Sequence, residues 1–156
     1  MKALATRSRW QRGAAALEFG IMFFPLASIT FGITEAGRAL YHYNTIAKSV
    51  RDATRYQSST TPGSTLAARC IAVTGSPATA GANCSGTPLL PGLTLALVAA
   101  CDRLSCPGTH NLQPTGSGVV DLVTITVTNY PFTSLVPFAM PSIAFGPIAA
   151  TMVQSP

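Results

Sequence analysis

Two groups of residues in this sequence are of types, and at spacings, that could do chemistry. The first is Gly13, Ala14 and Glu18. Hydrolysis of the Gly13–Ala14 peptide would release an α-amine at Ala14, with a carboxylate one helical turn away on the same face. An ammonium and a carboxylate so placed can pair within one chain or between neighbouring subunits. An ionisable group at the centre of an apolar span costs about 2.5–3.5 kcal/mol, which makes Glu18 a functional candidate by default, although its shallow depth lowers the cost. The bland reading is an interfacial carboxylate that snorkels toward headgroups or pairs with Arg12.

The second group is Cys70, Cys84, Cys101 and Cys106. Their even number and their setting in a small, loop-rich segment favour disulfides over a metal. Three pairings are possible; Cys70–Cys84 with Cys101–Cys106 is favoured because each closes a short local loop. A zinc site would call for closer C-x-x-C or histidine spacing. His42 and His110 offer neither and read as surface residues, so no metal and no cofactor is expected.

Catalytic material is otherwise scarce. The patterns G-x-S-x-G, H-E-x-x-H and G-x-x-x-x-G-K-[ST] are absent, and the only acids after Asp52 are Asp102 and Asp121. Asp121 reads as a turn or edge residue. A catalytic site needs convergent titratable groups, so no enzymatic activity is expected. The formal charge of +5 is equally uninformative about nucleic acid, because Lys2, Arg7, Arg9 and Arg12 crowd into the first twelve residues without an opposing acid. From Ala14 onward six basic residues face five acidic ones. That balance leaves no clustered basic face for phosphates, and no nucleic-acid partner is expected.

The elements that must position these residues follow from hydropathy. Charged residues make up 10% of the chain and hydrophobic ones 47%, a charge deficit that points to a membrane segment. Ala14–Thr34 is a run of 21 residues whose one charge is Glu18. At 1.5 Å per residue it reaches about 31 Å, enough to cross a hydrocarbon core and longer than a signal-peptide core. The basic residues before it keep residues 1–12 in the cytoplasm and send everything after Glu35 across the membrane. Pro25, in mid-span, removes a backbone donor and predicts a kink.

Beyond the span, Ala39, Tyr43, Ile46, Val50 and Ala53 recur at helical spacing, whereas Arg38, His42, Lys48, Arg51, Asp52 and Arg55 fall largely outside that face. The helix is therefore expected to continue amphipathically over 35–57 and to stop at SSTTPGS. From 58 to 156 prolines and loops dominate. A short helix is expected at 66–73, and strands at 93–99, 122–129 and 148–153. The middle strand is the clearest, because Val123, Ile125 and Val127 alternate with threonines. The fold class is α+β: one long helix packed on a small antiparallel sheet. The apolar segment 131–147 has no clean period and reads mainly as a loop covered by its own domain, with a partner or the membrane surface as the other possible cover.

The basic leader, Gly13, the following AAALEF and the apolar run together resemble the cleavage motif of type IV prepilins. More specifically, RGAAALEFGIMFFP followed by FGITEAGRALYHYNTIAKSVRDATRY resembles the TadE-like minor pseudopilins of tight-adherence pili, over roughly residues 12–56. The span is richer in Gly, Ser and Thr than is usual there. The resemblance implies a pilin-like architecture: leader 1–13, transmembrane helix 14–34, helical extension 35–57 and exported domain 58–156. It implies cleavage after Gly13 by a prepilin peptidase, a mature N-terminus at Ala14, and a role for Glu18 in processing or subunit docking. The implied setting is a bacterial inner membrane, with the C-terminal domain periplasmic and possible incorporation into an extracellular pilus. The implied partners are other pilins or pseudopilins, pilus platform proteins, the peptidase and membrane lipid. An uncleaved, membrane-anchored periplasmic binding or adhesin module is the alternative.

Overall fold

The computed structural model describes residues 4–78 and 84–155, with side chains from residue 13 onward. Lys2 and the side chains of Arg7, Arg9 and Arg12, which carry the charge of the basic leader, lie outside the described residues.

Helix α1 runs over Leu4–Ser58 with Pro25 inside it. From Ala14 to Thr34 its surface is apolar on every side except at Glu18. Leu17, Met22, Phe24 and Ile29 are each more than 60% exposed, and one stretch of this helix is long and apolar enough to cross a membrane. A helix that is hydrophobic all round suits either a core or a bilayer, and no part of its most apolar stretch is buried. The hydroxyls in this stretch have internal partners. Ser28, Thr30 and Thr34 donate to the carbonyls of Phe24, Leu26 and Thr30, each at 2.9 Å. The unusual Ser and Thr content of the run therefore adds no unsatisfied donor to a dry environment.

Farther on the pattern becomes one-sided. Glu35, Ala39, Ile46, Ser49, Val50, Ala53, Thr54 and Gln57 are buried at steps that keep them on one face, while Lys48, Arg51, Asp52 and Arg55 lie outside it. Tyr43 departs from the expected stripe. It is 47% exposed and meets Phe145 only edge-on, at a ring separation of 6.0 Å. Turn hydrogen bonds from Ser59 and Thr60 to Tyr56 and Gln57 end the helix.

Contacts divide the chain into two compact units, Met1–Arg38 with Ser134–Pro141, and Ala39–Thr133 with Ser142–Pro156. The first joins the apolar half of α1 to a short apolar loop. The second holds the sheet. Helix α2 spans Thr65–Thr74 and buries Ala68, Cys70, Ile71, Ala72 and Val73. It closes on Gly75, whose φ of 76° suits glycine and whose N–H donates to the Ile71 carbonyl at 2.9 Å.

Strands β1 (Val98–Cys101), β2 (Gln113–Thr115) and β6 (Ile148–Gln154) all pair antiparallel with β3 (Gly118–Val127). The one-turn helix α3, Pro107–His110, precedes β2. Val123, Ile125 and Val127 on β3 are buried and the threonines between them are half-exposed, the alternation that a sheet with one covered face requires. The segment 131–147, expected as a loop, instead contributes to a separate pair, β4 (Tyr130–Phe132) with β5 (Ile143–Phe145), around the loop between them. The architecture is α+β, with a long apolar N-terminal helix and a small antiparallel sheet.

The strand expected at 93–99 begins later. Leu95–Leu97 form a 3-10 turn and pairing starts at Val98. Arg69 of α2 donates to the carbonyls of Leu95 at 2.8 Å and Val98 at 3.0 Å, which ties this turn and the first residue of β1 to α2.

Candidate functional site

Gly13, Ala14 and Glu18 lie on one continuous helix and all three are exposed. The fold itself does not ask for glycine at position 13. The residue is helical, and a Cβ built there would meet nothing within 4 Å. Glycine in a helix interior costs about 1 kcal/mol relative to alanine, so its presence here brings no packing return. Glu18 follows Ala14 by one turn and makes no hydrogen bond or ion pair among the described residues, so its carboxylate is open to a partner. Around it Leu17, Phe19, Ile21 and Met22 are each at least 66% exposed.

At the other end of the apolar run stands Glu35, whose role is not apparent from the sequence. It is only 2% exposed. Its carboxylate accepts two bonds from the Arg38 guanidinium, at 2.8 and 2.9 Å, and a third from the Leu135 N–H at 3.2 Å. Burial pulls the Glu35 pKa upward, but Arg38, the Leu135 N–H and the Ser134 hydroxyl outweigh it and hold the group below the usual glutamate range. The available signal was the Glu-x-x-Arg spacing at the helix surface. The partner a hundred residues away was not readable.

Asp102 is a second buried acid whose structural role the sequence reading missed. Fully buried, it accepts from Gly63 N–H at 2.6 Å with one oxygen, and from Leu104 N–H, Ser105 N–H and the Ser105 hydroxyl at 2.8–3.1 Å with the other. Burial raises its pKa, and these four donors more than reverse that, leaving it below the ordinary aspartate value. The chain signal was Cys-Asp-x-x-Ser-Cys, in which an Asp can accept from backbone N–H groups two and three residues on. Asp121 is an ion-pair residue of β3 rather than a bare edge. It holds Arg103 at 3.0 Å and the Leu112 N–H at 2.8 Å. The N–H bond, the Arg103 guanidinium and its charge keep its carboxyl acidic against a smaller burial effect.

Two disulfides join Cys70 to Cys84 and Cys101 to Cys106. Both histidines are half-buried, contrary to the surface reading. The Tyr130 hydroxyl donates to the Pro91 carbonyl at 2.9 Å and therefore accepts from His42 Nδ1–H, also at 2.9 Å. His42 also sits edge-on to Phe132, at a ring separation of 5.3 Å. His110 lies with Cys101 and Cys106 in a group whose ligand atoms fall within 4.8 Å of one another. The two sulfurs are bonded to each other, and Thr109 and Thr124 engage the two ring nitrogens of His110 at 2.7 and 2.8 Å. This is a disulfide beside a hydrogen-bonded imidazole, not a set of thiolates. A cleft of about 350 Å³ runs beside α1, lined by Tyr41, Thr45, Lys48, Asp52, Ile71 and Leu89. Its two charged residues oppose each other in sign, so it carries no electrostatic preference.

No curated protein and no solved structure matches this chain. Residues 13–55, from the exposed glycine through the apolar and amphipathic stretches of α1, match the family model described as TadE-like protein, and this helix is similar to that family.

Proposed function

We propose that this protein is a minor pseudopilin, a structural and assembly subunit of a bacterial tight-adherence pilus, cut between Gly13 and Ala14 by a prepilin peptidase. Residues 14–34 anchor it in the inner membrane with the N-terminus cytoplasmic, and the remainder is periplasmic until the subunit enters or primes the pilus. Its partners are other pilins or pseudopilins and the platform proteins, together with the peptidase and lipid. The role is to be packed, with no catalysis.

The observation that carries this reading is the coincidence at Gly13. The family match begins at a glycine for which the fold has no need, one residue before the helix surface becomes apolar on all sides. The new amine at Ala14 and the Glu18 carboxylate then provide complementary charges in a medium of low dielectric, where such a pair is worth far more than in water. Mass spectrometry of the chain purified from cells with an active prepilin peptidase tests the reading. The expected product lacks residues 1–13, and the full chain accumulates when the peptidase is deleted. An intact leader in the peptidase-positive cells would instead leave an uncleaved, membrane-anchored binding or adhesin module.

A further inference from the structure

The apolar loop Ser134–Pro141 groups with the apolar part of α1 rather than with the sheet. Its sequence, SLVPFAMP, carries no charge. Leu135 is 73% exposed and Phe138 is 69% exposed, so these two large apolar side chains are not covered by the chain. Phe138 packs edge-on against Phe31 of α1, at a ring separation of 6.3 Å. Phe31 lies three residues before Thr34, the last residue of the apolar run, which places the Phe31–Phe138 contact about 4.5 Å inside the span's end. One turn on, Glu35 takes the Leu135 N–H and binds Arg38.

Backbone chemistry fits the same environment. The Leu135 N–H is held by Glu35 and the Val136 N–H by the Ser134 hydroxyl at 3.1 Å. The Ala139 and Met140 N–H groups both bond to the Val136 carbonyl, at 2.9 and 3.1 Å, and Pro137 and Pro141 have no N–H to satisfy. A non-helical segment can enter the edge of a bilayer only when its polar backbone is satisfied internally, and most of the donors here are.

We propose that Ser134–Pro141 is a second membrane contact, a loop whose Leu135 and Phe138 side chains insert into the lipid leaflet from which α1 emerges, with Glu35 and Arg38 at headgroup level. The occupant of this apolar surface is phospholipid. Its position beside the last turn of the span makes it continuous with the lipid-facing surface of α1, and interfacial elements commonly bury their apolar faces about 5–10 Å into the headgroup and acyl boundary. The proposal rests on the membrane-anchored reading of α1. Its added content is that the subunit grips the membrane at two points, which fixes the rotation of α1 in the leaflet until lipid is exchanged for neighbouring subunits.

The test uses the full chain reconstituted in phosphatidylcholine vesicles, with Trp10, the single tryptophan, changed to Phe. In that background Phe138→Trp reports on the loop, Leu135→Trp repeats the measurement at a second position should the first variant misfold, and Phe24→Trp reports on the span. Lipids brominated high on their acyl chains should quench the indole of either loop variant and shift its remaining emission to the blue, while aqueous iodide leaves it largely unquenched. Loop indoles quenched by iodide but not by bromolipid, with the indole of the Phe24→Trp variant quenched by bromolipid, would overturn the loop contact and leave the anchor standing. Shielding of the loop indoles from both quenchers would overturn it in favour of a second copy of the chain on this surface. If the span indole also escapes bromolipid, the anchor itself fails and the loop contact fails with it.

Discussion

Replacing Asp102 should destabilise the sheet-bearing unit more than any other single surface-to-core polar change. Its carboxylate is fully buried and receives four donors, three of them backbone N–H groups that anchor the turn after α1 and the loop inside the Cys101–Cys106 ring. Hydrogen bonds to a charged group contribute about 1.5–3 kcal/mol each, but neighbouring bonds on one carboxylate are not additive. Asp102→Ala is therefore expected to cost about 3–5 kcal/mol, because it strands buried donors. Asp102→Asn keeps one carbonyl oxygen for Leu104 and Ser105 but points an amide at the Gly63 N–H, so its cost should be about 1.5–3 kcal/mol. For a unit of roughly 110 residues, 3 kcal/mol lowers the Tm by about 10–15 °C. Near-UV circular dichroism of the detergent-solubilised full chain, heated with disulfides intact, provides the measurement. The pH dependence fixes the sign. The folded pKa of Asp102 lies below its ordinary value of 3.8, so its stabilisation is fully present above about pH 4 and fades as pH falls through the folded pKa. Asp102→Asn should remove that part of the acid sensitivity. An Asn variant as stable as the wild type, with an unchanged acid limb, would refute this account of the loop.

Glu18→Ala should still insert in the membrane but fail to support piliation in a complementation assay, and normal piliation would show the carboxylate to be dispensable. Thiol labelling under denaturing, non-reducing conditions should find no free cysteine. When the pairs are removed separately as double alanine variants, loss of Cys70–Cys84 should cost about 3 kcal/mol and loss of Cys101–Cys106 about 2, since the first closes the longer loop; the reverse order in thermal melts would contradict this. Gln57→Leu should stabilise the unit by about 1 kcal/mol, because both amide atoms of Gln57 are buried with no partner among the described residues. A fall in Tm would mean that the amide is paired in solution.

The parts of the fold that were legible are those where a periodic pattern has one cause. Burial against a single face produces the spacing of Ile46, Val50 and Ala53, and pleating produces the alternation of Val123, Ile125 and Val127. The illegible parts depend on partners far along the chain. Arg69 ties the Leu95–Leu97 turn and the start of β1 to α2 through carbonyls nearly thirty residues away. The β4–β5 pair contains Pro131, a residue that argues against a strand unless the strand is short and at an edge. Ring contacts among Tyr130, Phe132 and Phe145 accompany its backbone pairing. The same division runs through the candidate site. Gly13, Ala14 and Glu18 are proposed from local order alone, whereas Glu35 and Asp102 acquire their partners only when Leu135 and Gly63 arrive.

The five acids of this chain can be assigned by what they hold. Glu35 holds the Leu135 N–H, Asp102 holds those of Gly63, Leu104 and Ser105, and Asp121 holds that of Leu112. Each of these carboxylates is tied to a backbone donor that would otherwise lack it, and each is kept acidic by those donors. Asp52 stands on the solvent-exposed face of α1 at the rim of the cleft with Lys48. Glu18 remains, exposed in the middle of an apolar surface and without a partner among the described residues. A carboxylate on such a surface is costly in lipid, so a cation within its reach would offset that cost. Under the proposed processing, the cation created by cleavage after Gly13 lies one turn away or on the next subunit and would supply that partner.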